Sequence, residues 1–132
     1  MTLKREVVEP KNPALNVSQN FNLPHSPGIR AGEFIFLSGM VAIDPGTGKR
    51  AQGTVAAETR QILINMAHLL ESAGSSLANV VKVNVLIDSM LEYDNMNGVY
   101  REFFPVDPPA RTVCGVQLSG GNKIEIECVA LA

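Results

Sequence analysis

The sequence contains few residues of the kinds that build metal or redox sites. Its 132 residues include only two cysteines and two histidines, and it has no CxxC, HExxH or glycine-rich phosphate loop. A metal site is not expected, because such sites gather several ligands at characteristic spacings. Cys114 and Cys128 both lie in apolar runs, which favours buried free thiols over a disulfide.

Long runs of one charge and long apolar runs are also absent. The net charge is −2 and no basic cluster occurs, so nucleic acid is not expected as a partner. No apolar stretch approaches the ~20 residues of a membrane span, and no signal region follows Met1. With 45% apolar residues, the chain is predicted to form one cytoplasmic domain over residues 1–132, with no membrane contact.

Hydrophobic periodicity predicts an α+β domain, in which two helices pack on one face of a mixed sheet. Strands are predicted over residues 4–8, 33–38, 80–87, 111–118 and 123–131. Residues 9–28, rich in proline and asparagine, are predicted to be loop. The Ser-Gly-Gly-Asn sequence of residues 119–122 predicts a hairpin or a tight connection between the last two strands.

Two segments show helical spacing. The first runs from Thr54, a residue suited to cap a helix, to Ala73, and Gly74 follows as a C-terminal cap. The second opens at Ser89 and Glu92, which have the spacing of a capping box, and prolines at 105, 108 and 109 end it.

A guanidinium and two carboxylates are the groups most indicative of chemistry. Arg111 lies at the start of a strand, and Glu125 and Glu127 share one face of the next strand because side chains alternate. A guanidinium binds a carboxylate through two charge-assisted hydrogen bonds, and a carboxylate can take a proton from water. The pattern predicts an anionic-substrate site with a general base, and the fourteen-residue spacing favours one hairpin carrying both.

Four segments, in order along the chain, carry a resemblance to a known family. They are residues 31–39 with 43–48, residues 81–88, residues 97–104, and residues 109–112 with 124–127. They resemble the RidA (YjgF/YER057c/UK114) family of reactive-intermediate deaminases. The resemblance implies a chorismate-mutase-like (bacillus type) fold and a homotrimer whose three sheets form an inner barrel, with sites in the clefts between subunits.

The same resemblance implies an activity and site residues. The activity is hydrolysis of small carboxylate-bearing enamines or imines, of the 2-aminoacrylate or 2-iminobutyrate type, to a 2-oxo acid and ammonia, without cofactor or metal. Arg111 is expected to hold the substrate carboxylate and Glu125 to activate water, with both residues of one subunit forming the floor of the site. Ser38 and Gly39 are expected to line it, and Asn97 to contact the ligand or support the wall.

Two positions depart from the family pattern. His25 stands where most of these deaminases have a tyrosine, and its proline-flanked stretch also looks like that of aminoacrylate-processing members of pyrimidine breakdown. Cys114, a candidate for lining the site, lies one residue beyond the usual cysteine position. The strand that carries it is also one residue shorter than usual, which leaves the facing of residues 113–117 open.

These departures keep other functions open. One is deamination of a larger enamine from aromatic or pyrimidine catabolism, of the 2-aminomuconate or 3-aminoacrylate type. Another is a non-catalytic function, as a trimeric 2-oxo-acid-binding protein or a regulatory protein. A nucleic-acid-directed activity is disfavoured by the net charge of −2.

Overall fold

The computed structural model describes residues 4–132; residues 1–3 of the predicted domain lie outside the described residues. Its strands are β1 (Arg5–Val7), β2 (Gly28–Ala31), β3 (Phe34–Met40), β4 (Val80–Ile87), β5 (Ala110–Gly115) and β6 (Ile124–Leu131). Its α-helices are the short α1 (Val17–Asn20), then α2 (Val55–Ser72) and α3 (Tyr93–Phe103). The α+β prediction is confirmed.

All six strands form one mixed sheet in the order β1-β2-β3-β6-β4-β5. Every pairing is antiparallel except that of β4 with β5, which α3 connects in the chain. The predicted hairpin between the last two strands is wrong, because β4 lies between β5 and β6. Ser119–Gly121 instead forms a 3-10 turn in which Gly120 and Gly121 have positive φ.

One strand, the predicted loop and the end of β5 differ from the predictions. β2 falls partly inside the predicted loop and forms a hairpin with β3 through Gly32, whose φ of +59° suits glycine. The loop itself contains a 3-10 turn at Pro13–Leu15 and α1. β5 ends at Gly115 instead of residue 118, because its partner β4 ends at Ile87, the residue opposite.

The long helix confirms its predicted signals. The Thr54 hydroxyl oxygen accepts from the Ala57 N–H at 3.1 Å, and Gly74 follows the helix with φ +82°. At α3 the capping prediction is only partly right. The Ser89 hydroxyl caps a 3-10 turn, Met90–Glu92, and the α-helix starts one residue later. No helix among residues 4–132 combines the length and the apolar character that crossing a membrane requires.

The core lies between the sheet and the helices α2 and α3. Its fully buried side chains include Ile62, Leu63, Met66, Met96 and Ile126. The opposite face of the sheet has no such cover within the described chain. Phe34, Phe36 and Leu131 on that face are 42%, 47% and 43% exposed. The sheet therefore has a helix-covered face and an open face.

Candidate functional site

The Arg111 side chain lies on the helix-covered side of β5. Its guanidinium donates to Asn97 Oδ1 at 2.8 Å and to Tyr93 Oη at 3.2 Å. Its central carbon lies 4.6 Å from the centre of the Tyr100 ring. No carboxylate of the described residues lies within ion-pair distance of it. Because a guanidinium has five N–H donors, it retains donors for an anionic ligand.

Tyr100 completes the surroundings of this cation. Its ring packs on the guanidinium, while its hydroxyl is buried with no hydrogen-bond partner in the described part of the chain. Burial raises the pKa of Tyr100 to about 12, against the opposing effect of the Arg111 charge. We name Tyr93, Asn97, Tyr100 and Arg111 the arginine cluster; its members line a cavity of about 310 Å³.

Glu125 lies beside an irregularity in β3. Leu37 pairs with Cys128 and Met40 with Ile126, so Ser38 and Gly39 together face the single residue between those partners. Such a bulge bends the strand and re-aims its neighbours. A Cβ at Gly39 would collide with the Glu125 carboxylate, which explains why glycine occupies this position.

The environment of Glu125 favours its protonated form. Burial raises the pKa of Glu125 above its usual range, and the charge of Glu127 raises it further, while His25 acts in the opposite direction. The Ser38 hydroxyl donates to the Ser26 carbonyl at 2.6 Å and so ties the His25 loop to β3. A carboxylate with a raised pKa is suited to accept a proton near neutral pH.

Four of the seven predicted site residues line one cavity of about 560 Å³: His25, Ser38, Gly39 and Glu125. We call these four the glutamate cluster. Asn97 and Arg111 are brought together elsewhere, in the arginine cluster. The sequence thus selected residues that group in space, but into two groups.

The two clusters lie on opposite faces of the sheet. Arg111 pairs with Val83, a fully buried residue of the core face. Glu125 pairs with Leu86 and is flanked by the fully buried Ile124 and Ile126. Because side chains alternate along a strand, Glu125 points to the open face. The expected floor, with both residues from one subunit, is not formed within one chain.

The regular pairing of β5 with β4 determines the facing of β5 residues. Val113 packs against the core, and Cys114 is exposed on the open face, so its predicted burial is wrong. Cys114 lies in register with Leu86, which in turn pairs with Glu125. It therefore shares a face with Glu125 and not with Arg111. Cys128 is buried as predicted, and burial raises the pKa of its thiol to about 12.

Tyr93 and Tyr100 are not among the site residues predicted from the sequence, although both contact Arg111. A signal was present: Tyr93, Asn97 and Tyr100 are spaced i, i+4, i+7, which places them on one helical face. Three side chains with polar tips on one stripe indicate a polar contact, since buried hydroxyls and amides usually have partners.

Comparisons with known proteins identify the family of the chain. The model of a family described as Endoribonuclease L-PSP matches residues 18–132. A RutC family protein of Pyrococcus horikoshii is 43% identical over 108 residues, which cover 81% of this chain and 86% of that protein. Human 2-iminobutanoate/2-iminopropanoate deaminase is 37% identical over 109 residues, covering 82% and 80%.

A solved structure matches nearly the whole chain. The crystal structure of YyfA from Yersinia pestis, a protein of unknown function in the conserved Rid family, matches with a TM-score of 0.88 and 28% identity. The match covers 98% of this chain and 100% of that chain. The family model, the curated relatives and the fold agree, and the chain therefore belongs to the YjgF/RidA family.

Proposed function

We propose that the protein is a hydrolytic deaminase of imines and enamines that carry a carboxylate, of the 2-iminobutyrate or 2-aminoacrylate type. The observation that carries the proposal is the half-buried Arg111 guanidinium, held by Asn97 and Tyr93 with no carboxylate partner among the described residues. The 37% identity to a human protein named 2-iminobutanoate/2-iminopropanoate deaminase supports the reaction class.

The proposed reaction needs one cation and one base. Arg111 binds the substrate carboxylate through its guanidinium fork. Glu125 takes a proton from water as the water oxygen bonds to the carbon of the protonated imine. Glu125 then gives this proton to the nitrogen, and the C–N bond breaks as Glu125 takes the proton of the new hydroxyl group. The departing ammonia accepts that proton, which yields ammonium and restores the Glu125 carboxylate. The products are a 2-oxo acid and ammonium, and orientation supplies much of the rate gain.

Because the two clusters face opposite sides of the sheet, a complete site requires more than one subunit. A substrate held by Arg111 of one chain cannot meet Glu125 of the same chain, since the sheet lies between them. We propose that the partner subunit's Glu125 completes the site in a homotrimer. The exposed Phe34, Phe36 and Leu131 support this, because a sheet face with large apolar side chains gains stability when a neighbour covers it.

Trapping with semicarbazide tests the activity. 2-Aminoacrylate or 2-iminobutyrate is generated in situ, and formation of its semicarbazone is followed with and without the protein. We expect the protein to compete with the trap and to release ammonia. If the protein accelerates the hydrolysis of none of the small enamines tested, the proposal is contradicted. Saturable binding of a 2-oxo acid without turnover would favour the binding protein, and turnover of aminomuconate-type enamines alone would favour the larger substrate.

A further inference from the structure

The cavity beside Glu125 is larger than the proposed reaction requires. Its volume is about 560 Å³, within the roughly 300–1,000 Å³ of pockets that hold drug-sized ligands. Glu125, Ser38 and His25 lie at one part of its wall, and much of the rest is apolar. The apolar side chains that matter here are Leu15, Phe21, Leu23, Met40 and Ile43.

One wall of this cavity is the segment from Lys11 to Leu23, which we call the N-terminal wall. The Lys11 N–H donates to Ser72 Oγ at 3.0 Å, and the Asn12 N–H donates to His68 Nε2 at 3.0 Å. The Asn12 side chain also donates to the Pro45 carbonyl at 2.9 Å. These bonds fix the wall to α2 and to the turn after β3.

The N-terminal wall is packed as well as hydrogen-bonded. Leu15 is only 4% exposed, and a Cβ at Gly48 would lie 3.2 Å from the Ala14 carbonyl oxygen. The family match begins at residue 18, so Leu15 and the anchors at Lys11 and Asn12 precede it. A wall that is already in place loses little entropy when a ligand binds, and affinity rises accordingly.

Resting on the proposed function, we propose that this cavity receives the substrate side chain, and that the preferred substrates are 2-imino acids with a large branched or aromatic side chain. Glu125 lines the cavity, so a substrate that presents its imine carbon to this carboxylate has the apolar wall within reach of its side chain. Burying such a side chain favours binding, whereas the methyl group of 2-iminopropanoate leaves most of the cavity empty.

A panel of imino acids tests the inference. Amino acid oxidases generate the imines of leucine, phenylalanine, alanine and glutamate in situ, and kcat/KM is obtained for each from competition with semicarbazide. We expect the leucine- and phenylalanine-derived imines to exceed the alanine-derived imine by about tenfold or more, the scale of discrimination in an apolar pocket.

Two variants connect that preference to the wall. Phe21→Ser and Leu23→Ser are expected to remove most of the preference, because the leucine- and phenylalanine-derived imines should lose far more of their kcat/KM than the alanine-derived imine does. Both residues are partly exposed, so the variants are expected to fold. Leu91→Ser is the matched control, because Leu91 is apolar, 95% exposed and away from the cavity; it should change neither rate.

The outcomes separate this inference from the proposed function. The inference is overturned if the alanine- or glutamate-derived imine reacts fastest, or if the preference survives Leu23→Ser. In either case the proposed deaminase activity is still supported. Turnover of no imine would overturn the deaminase. Calorimetry would then decide the subsite: 4-methyl-2-oxopentanoate binding more tightly than pyruvate supports it, and equal or weaker binding overturns it.

Discussion

The arginine cluster and the glutamate cluster are built by different means. Arg111 projects from a regular strand, and three side chains of one helical face of α3 hold it. Glu125 projects from a strand whose neighbour bulges at Ser38 and Gly39, so that backbone approaches the carboxylate closely. One cluster positions a cation by side-chain contacts, and the other positions an acid by backbone shape.

The comparison also shows a division of chemistry. The arginine cluster presents fixed positive charge and hydrogen-bond donors, which suit a carboxylate. The glutamate cluster presents a group whose raised pKa suits proton transfer. Because the two clusters lie on opposite faces of the sheet, the proposal assigns substrate binding and proton transfer to different faces. Variants of the arginine cluster should therefore change KM most, and variants of the glutamate cluster should change kcat most.

Glu125→Gln is expected to have the largest effect. It keeps the shape of the side chain and removes the base, so kcat should fall by roughly 10³-fold, within the usual contribution of general acid–base catalysis. Binding of a 2-oxo acid to the same variant should persist, because the carboxylate contact lies in the other cluster. Glu127→Gln is the matched control on the same strand and should retain most of the rate; equal losses in the two variants would contradict the assignment.

Arg111→Met is expected to act on binding. It removes the guanidinium and keeps an unbranched side chain, so kcat/KM should fall by roughly 10²-fold, with most of the change in KM, because a charged partner of a carboxylate contributes several kcal/mol. Titration with a 2-oxo acid checks the loss directly. Arg60→Met, which removes an exposed arginine paired with Glu102, serves as control. Full activity in Arg111→Met would end the proposed role.

Tyr93→Phe tests whether the arginine cluster positions the guanidinium. The variant removes only the hydroxyl that accepts from Arg111 at 3.2 Å. We expect KM to rise by about 3–10-fold with kcat nearly unchanged, the effect of losing one hydrogen bond. A change in kcat without a change in KM would place Tyr93 elsewhere in the mechanism.

The smallest expected effect is a pair of opposite shifts in pH dependence. The proposed reaction uses ionised Glu125 as its base, so the rate should rise with pH through the pKa of this group. The Glu127 charge raises that pKa and His25 lowers it. Glu127→Gln should therefore move the acidic limb of the rate profile to lower pH, and His25→Phe should move it to higher pH. Glu102→Gln, on α3 and paired with Arg60, should leave the limb in place.

Much of the fold could be predicted from the sequence because local signals agreed with the final structure. The strand at Val80–Ile87 and the helix that Thr54 caps both appear as expected. The pairing of strands could not be predicted in the same way. β5, which carries Arg111, and β6, which carries Glu125, are consecutive in the chain, but β4 lies between them in the sheet. The sequence of the loop that connects β5 to β6 does not indicate this strand order.

The site shows the same limit. Residue types and family resemblance identified site candidates that lie together in two groups: Asn97 with Arg111, and Ser38 and Gly39 with Glu125. Their division between two faces follows from alternation along strands whose register was unknown, as the exposed Cys114 illustrates. The roles of these residues, the cytoplasmic location and the independence from cofactors stay predictions.

Hybrid trimers test the central claim, that each site takes Arg111 from one subunit and Glu125 from another. Arg111→Met and Glu125→Gln chains are coexpressed with different tags, and the mixed trimers are isolated through both tags. Activity is measured as kcat/KM, at substrate concentrations well below KM, where each parent variant is expected to retain about a hundredth of the wild-type value or less. In a closed ring of either mixed composition, one of the three sites combines an intact arginine with the partner subunit's intact glutamate, so we expect about a third of the wild-type activity. Mixed trimers with no more activity than the parent variants would contradict the account, because both residues would then be required from one chain.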